Sequence, residues 1–274
     1  MMSKVFWYNG VTYTDISFEM SSYGRDTYTL PLETTHYLYF GREKPFSSLY
    51  VEMGSTVNAV STSLTIEYYN GSSWVDVSEL KDNTKAFSRN GFIKFDKPTD
   101  MVETTINSVA DYYIRISVGA NITAGTILQG MDIVFSDDQD LKGVYPSIEN
   151  YLDTSETSFI LRHENSRDLI VQELRNRGLT KRNNSSLARK ILTAWDFLDI
   201  EEVRMWSTYL TLANIFSSLQ SNNGDFYKEK TQEYREKAEF YKNASFLSID
   251  FDDDGVSDVS EASGDISSRR LIRG

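Results

Sequence analysis

Residues 64–77 read Leu64-Thr65-Ile66-Glu67-Tyr68-Tyr69-Asn70-Gly71-Ser72-Ser73-Trp74-Val75-Asp76-Val77. Leu64, Ile66 and Tyr68 alternate with Thr65 and Glu67, which gives a strand one apolar and one polar face. Asn70-Gly71 supplies a turn, and 74–77 a returning strand. The same pattern opens the chain. Phe6-Trp7-Tyr8, Asn9-Gly10 and Val11-Thr12-Tyr13 predict a hairpin with a type I′ turn, because Asn-Gly accepts positive φ. Further short runs lie at 37–40, 49–53, 92–95, 112–118 and 127–135. In 112–118 the residues Ile114, Ile116 and Val118 share a face. Seven or eight such strands, with no helical segment between them, predict a jelly-roll-like all-β sandwich over residues 1–140.

Beyond residue 140 the spacing changes to three and four, the period of a helix. A first helix is predicted over 157–177, stopped by Gly178, a residue common just past a helix end. Residues 181–186 form a polar loop. Leu187, Ile191, Ala194, Trp195 and Leu198 step along a second helix. A third, over 201–220, carries two apolar stripes. One is Val203, Trp206, Leu210 and Ala213; the other is Met205, Tyr209, Leu212, Phe216 and Leu219. Two stripes place it at the centre of a four-helix bundle. The fourth, over 225–244, has one seam of Tyr227, Thr231, Tyr234, Ala238 and Tyr241, with Glu233–Lys237 and Arg235–Glu239 pairs outside it. The chain therefore reads as an α+β multidomain protein. A sandwich (1–140) precedes an all-α bundle (141–249), and a loop with an extended tail (250–274) ends it.

Composition removes several classes of function. The 274 residues hold 28 Lys+Arg against 40 Asp+Glu, a net charge of −12. Of this, −8 falls on 1–140 and −4 on 141–274. A protein whose main task is coating nucleic acid needs clustered cations instead. Cysteine is absent, which excludes disulfides, thiol nucleophiles and cysteine-bound zinc. His36 and His163 lie too far apart in sequence to suggest a multi-histidine metal site. No apolar run approaches the ~20 residues of a membrane span, so no membrane partner is expected, and no signal peptide opens the chain.

One motif carries sharp chemistry. In residues 250–261, Asp250, Asp252 and Asp254 occupy positions 1, 3 and 5 of a twelve-residue loop. Gly255 follows at 6, Val256 at 7, Asp258 at 9 and Glu261 at 12. This is the oxygen spacing of a calcium loop, with Val256 offering its carbonyl and Glu261 both carboxylate oxygens. Ser257 at position 8 and Ala262-Ser263-Gly264 after the loop depart from a helix–loop–helix sensor. The expected cofactor is therefore a structural Ca²⁺ that pins one turn.

Other candidates are weaker. Asp137, Asp138 and Asp140 read as a solvated interdomain linker, and His163, beside Glu164, as a packed or surface histidine. Neither a glycine-rich phosphate loop nor Gly-x-Ser-x-Gly occurs, so no enzymatic activity is expected. Tyr68, Tyr69 and Trp74 flank the Asn70-Gly71 turn, where exposed aromatics would stack on sugars. Arg162, Arg167, Arg175, Arg177, Lys181, Arg182, Arg189 and Lys190 cluster in the acidic chain, suited to an acidic protein surface or to DNA passing through a channel.

The helical half resembles tailed-bacteriophage head-to-tail connector proteins, the adaptors. The likeness lies in the segment Ser158-Phe-Ile-Leu-Arg-His-Glu-Asn-Ser-Arg-Asp-Leu-Ile-Val-Gln-Glu-Leu-Arg-Asn-Arg-Gly178, in Trp195-Asp-Phe-Leu-Asp-Ile-Glu-Glu-Val-Arg204, and in Tyr209-Leu-Thr-Leu-Ala-Asn-Ile-Phe216. A charged fourth helix, an Asp-rich loop and the ending Arg269-Arg270-Leu271-Ile272-Arg273-Gly274 complete it, over about residues 145–274. The sandwich resembles β-sandwich domains carried by phages and is extra to a minimal adaptor.

The resemblance implies a structural virion protein of the neck, made in the host cytoplasm. It implies a homo-oligomeric ring, a dodecamer, between the portal protein and a downstream stopper or tail protein. Docking on the portal falls to Ile266, Arg269, Arg270, Leu271, Ile272 and Arg273. The alternative is a tail or baseplate module whose sandwich recognises carbohydrate.

Overall fold

Alternation of the kind seen at 64–68 recurs in the first half of the chain, where the described residues form twelve strands. They are β1 (Lys4–Tyr8), β2 (Tyr13–Asp15), β3 (Tyr28–Thr29), β4 (Tyr37–Arg42), β5 (Ser48–Met53), β6 (Leu64–Tyr69), β7 (Trp74–Asp76), β8 (Lys81–Asp82), β9 (Gly91–Lys94), β10 (Thr104–Ile106), β11 (Val109–Val118) and β12 (Ile127–Asp132). The computed structural model describes residues 3–21, 26–153, 156, 158–177, 180–182, 189–220, 225–245 and 247–250. Two units divide the chain, one running to Ile133 and one starting at Val134.

In the first unit all strands pair antiparallel, in two sheets. One runs β2-β1-β4-β11-β6-β7, with β10 paired to β11; the other runs β3-β12-β5-β9-β8. The registers Val5↔Phe40, Phe40↔Ile114 and Ile116↔Ile66 put the apolar residues of four strands on one face, all buried. Ring contacts run from Phe40 through Phe46 to Phe95, and from Trp7 on β1 to Tyr28 on β3, so the sheets form two layers.

Both Asn-Gly sites make hairpins, but not by a two-residue turn. Tyr8 pairs with Tyr13 and Tyr69 with Trp74, so each loop has four residues. In the first, Asn9 Oδ1 accepts the amides of Val11 and Thr12; in the second, Asn70 Oδ1 accepts those of Ser72 and Ser73. The asparagine side chain adds these bonds to the one backbone bond that closes each loop, from the Asn9 amide to the Thr12 carbonyl and from the Asn70 amide to the Ser73 carbonyl. Gly10 and Gly71 sit at φ +89° and +93°, where a side chain is strained.

Among the described residues the second unit has four α-helices: α1 (Asp138–Val144), α2 (Ile160–Asn176), α3 (Glu201–Ser218) and α4 (Asp225–Ala244). The set differs from the expected one at two places. The segment 138–144, read as solvated linker, is helical. The segment 187–198, read as a helix, is not; its residues 187 and 188 lie outside the described ones. Arg189–Ile191 forms β14, paired antiparallel with β13 (Thr180–Arg182). A short 3-10 turn follows at Ala194–Asp196, where Thr193 and Asp196 cap each other reciprocally. That capping box ends the strand and blocks a continuous helix. The predicted stop at Gly178 lies outside the described residues.

α3 is the central rod, as its two stripes require. Val203, Trp206, Leu212, Ala213 and Phe216 are buried, whereas Met205 is 37% exposed. The α4 seam is also as read: Thr231, Tyr234 and Ala238 are buried, and Tyr209 of α3 stacks on both Tyr234 and Tyr241. Outside the seam Glu233 pairs with Lys237 at 2.6 Å, while Glu239 pairs with Lys242. Among the described residues no helix is long and apolar enough to cross a membrane.

Candidate functional site

The three acids expected in a solvated linker are structural joints. Asp137 is buried and caps α1. Its carboxylate accepts the amides of Gln139 and Asp140, and Asp140 accepts the Asp137 amide in return. Asp140 also takes the Arg204 guanidinium of α3 at 2.7 Å, and Arg204 reaches Glu201. These bonds hold the Arg204 pKa above its ordinary value. Asp138 accepts the Phe159 amide at the start of α2 and lies 3.2 Å from His163 Nε2.

His163 is 1% exposed and lies within a closed relay. Its Nδ1 is 2.9 Å from Ser136 Oγ, which is 2.8 Å from Ser207 Oγ. All four groups are satisfied if Nε2 donates to Asp138, Nδ1 accepts from Ser136, and Ser136 accepts from Ser207. A hydroxyl, an imidazole and a carboxylate in line suggest a nucleophile relay. Here both serines are wholly buried, so the relay ties α2 and α3 to the residues around the start of α1. Sequence alone hid this, because Ser136, His163 and Ser207 are far apart along the chain.

Burial raises the Asp137 pKa, and the neighbouring Asp140 charge adds to that effect. The folded chain therefore binds a proton at Asp137 at a pH where the unfolded chain does not. The contribution of this group to stability grows as pH falls toward the ordinary carboxylate range. Asp137→Asn keeps the cap and removes that titration. We expect the stability of wild type relative to Asp137→Asn to rise between pH 7 and pH 4, followed by thermal melting. A constant difference would contradict this.

Of the predicted calcium ligands, only Asp250 is described; Asp252, Asp254, Val256, Asp258 and Glu261 lie outside the described residues, as do Ile266, Arg269, Arg270, Leu271, Ile272 and Arg273. Asp250 is buried. Its amide donates to the Asp196 carbonyl at 2.8 Å, and the Leu198 amide donates to the Ser248 carbonyl at 3.0 Å. Phe197 and Ile249 form an antiparallel bridge. Glu202, at the start of α3, accepts both the amide and the hydroxyl of Ser248. The chain is thus laced to the helical unit up to Asp250, the first position of the acidic loop.

The basic cluster divides. Arg167 pairs with Asp168 and Arg177 with Glu173, while Arg175 donates to the Leu192 carbonyl. In the β13–β14 hairpin, Lys181 is opposite Lys190 and Arg182 opposite Arg189.

The sandwich carries a second concentration of chemistry, on the face of the larger sheet away from Val5, Phe40 and Ile116. The register lines up Phe6, Tyr8, Tyr37, Tyr39, Tyr113, Tyr69 and Trp74 there, with Tyr13 from β2. Gly41 makes room for this layer: a Cβ at that position would lie 2.2 Å from the Tyr113 ring. Phe6, Tyr39, Ile106 and Tyr113 are buried as a floor, and Tyr8, Tyr37 and Trp74 pack on it half-exposed. Arg115 lies between the Tyr37 and Trp74 rings at 4.5 and 4.8 Å and makes two hydrogen bonds to Glu67. Of the aromatics flanking Asn70-Gly71, Tyr69 and Trp74 belong to this face. Tyr68 does not; it shares the register of Ile114, and its hydroxyl donates to Asp100. The alternation at 64–68 already separates Tyr68 from Tyr69, but sequence could not show that β1, β2 and β4 add their rings.

No family model matches the chain. No curated protein matches it. Among solved structures, the chain is similar to chitosan-binding module 1 derived from the chitosanase/glucanase of Paenibacillus sp. IK-5, at 13% identity and a TM-score of 0.28. That likeness covers 47% of this chain and 91% of the module.

Proposed function

We propose that the chain is a ring-forming connector of a phage neck, seated between portal and tail around the DNA channel. The observation that supports this reading is that two helices of one helical unit each expose large apolar side chains. α2 exposes Leu161 and Leu169 at 38% and 40%; α4 exposes Phe226 and Phe240 at 46% and 66%. Exposed side chains of this size are available for contact with a neighbouring copy. Two different patches that meet between neighbouring copies make a heterologous contact, which closes into a ring when the rotation allows.

The ends of the unit support the same reading. The sequence cations Lys181, Arg182, Arg189 and Lys190 suit a polyanion such as DNA in the channel. The chain is fixed to the helical unit as far as Asp250, and the sequence beyond it supplies apolar Ile266, Leu271 and Ile272 with Arg269, Arg270 and Arg273 for the portal. Ca²⁺ held by the 250–261 loop would extend the lacing past Asp250. Calorimetry with calcium chloride should show uptake at millimolar ion, lost in Asp254→Asn; no uptake would remove calcium from the account. The connector reading itself is tested by electron microscopy of the purified chain alone and mixed with portal, where rings are expected.

A further inference from the structure

We propose that the outer aromatic face of the sandwich is a binding site for neutral saccharides. The proposal stands apart from the connector reading, since it concerns the first unit alone.

The rings form one continuous row. Tyr69 meets Trp74 at 5.7 Å, Trp74 meets Tyr39 at 5.7 Å, and Tyr39 meets Tyr37 at 6.1 Å and Tyr13 at 5.8 Å. Tyr8 closes the row, 4.6 Å from Tyr13 and 6.5 Å from Tyr37. The row crosses the sheet from β2 to β7. Built from strands about 4.8 Å apart, the row is longer than one sugar and suits a short oligosaccharide.

Two matching hairpins frame the row. Tyr8-Asn9-Gly10 and Tyr69-Asn70-Gly71 are each followed by another aromatic, Tyr13 or Trp74, five residues after the tyrosine. In both, the tyrosine hydroxyl donates to the glycine carbonyl, at 2.7 and 3.1 Å. Each hairpin thereby holds its tyrosine against its own loop at one edge of the sheet. The exposed members are at the rim: Tyr13 is 37% exposed, and Tyr8, Tyr37, Tyr69 and Trp74 are half-buried.

The chemistry selects the ligand. An aromatic face is electron-rich and attracts the slightly positive C–H hydrogens on the flat side of a pyranose ring. The hydroxyls at the ring edge need polar partners, and Arg115 with Glu67 supplies donors and acceptors in the middle of the row. Their side chains are 19% and 17% exposed, within reach of a bound sugar. Both are held in advance, Arg115 by the two flanking rings and Glu67 by the paired hydrogen bonds. Within the row, among the described residues, the Arg115 cation is already matched by Glu67, and Asp15 and Asp76 lie on the same face. Lys4 shares this face within electrostatic reach of Asp111, so Glu67, Asp15, Asp76 and Asp111 outnumber Arg115 and Lys4 and an anionic glycan is disfavoured. Burial raises the Tyr39 pKa, so the floor stays uncharged at physiological pH.

The test is a glycan array printed with neutral and anionic oligosaccharides, probed with the full chain and three variants. The neutral glycan with the highest signal is then titrated by tryptophan fluorescence. The expected result is binding to neutral glycans only, weakened at least tenfold by Tyr13→Ala and by Trp74→Ala but not by Tyr13→Phe, with melting curves superimposable for the two Tyr13 variants. Absence of binding to every neutral glycan would overturn the proposal. So would preferred binding to anionic glycans, or binding by Tyr13→Ala equal to wild type.

Discussion

Phe216→Ala should unfold the helical unit at a temperature where the wild type is intact, through a loss of about 3–5 kcal/mol. The side chain is wholly buried on α3. Its ring meets Tyr145 and Tyr151 at 5.3 Å, Tyr234 at 5.5 Å, and Tyr227 and Phe226 at 6.3 Å. Five aromatic neighbours leave a cavity that no single rotamer change fills. Each ring pair also contributes about 0.5–1.5 kcal/mol beyond its buried area. Against a domain stability of about 5–15 kcal/mol, the loss removes much of the margin. Thermal melting followed by circular dichroism reads the effect directly. Phe240→Ala is the matched control. Phe240 is 66% exposed, so its removal should change stability by no more than about 0.5 kcal/mol. Equal melting of the Phe216→Ala and wild-type proteins would mean that α3 is not the core.

Much of this architecture is legible from period alone. Alternation at Leu64, Ile66 and Tyr68 places each on the buried side of β6 or at its edge, because strand geometry leaves no other option. The seven-residue step of Tyr227, Tyr234 and Tyr241 finds the α4 seam for the same reason. Reading fails where polar residues do structural work. Asp137, Asp138 and Asp140 look like linker because three acids in four residues are usually solvated; here an N-cap, a histidine and an arginine from α3 take them up. Residues 187–198 have helical spacing, yet the local bonds of Thr193 with Asp196 and the pairing of β14 prevail over it. The aromatic face was half visible. Tyr69 and Trp74 are neighbours through one hairpin, whereas Tyr8, Tyr13, Tyr37 and Tyr39 join them only through strand order.

Ending the chain after Gly264 should abolish docking on the portal while both units keep their melting temperatures. The deletion removes Ile266, Arg269, Arg270, Leu271, Ile272 and Arg273, beyond the last described residue, Asp250. Twenty-four residues follow Asp250. The ten after Gly264 would reach roughly 33 Å if extended, enough for an arm that enters a neighbouring protein. Apolar side chains and arginines together suit a strand added to a partner's sheet edge, with the guanidinium groups on carboxylates. The loss should be large, because the arm carries both terms at once. Pull-down of portal with the shortened chain measures it, and undiminished capture would assign docking to the helices instead.

Negative-stain imaging of the intact chain mixed with purified portal tests the connector role most directly. The account predicts closed rings of identical subunits, stacked coaxially on the portal. Single subunits that leave the portal bare, at every concentration tried, would contradict it.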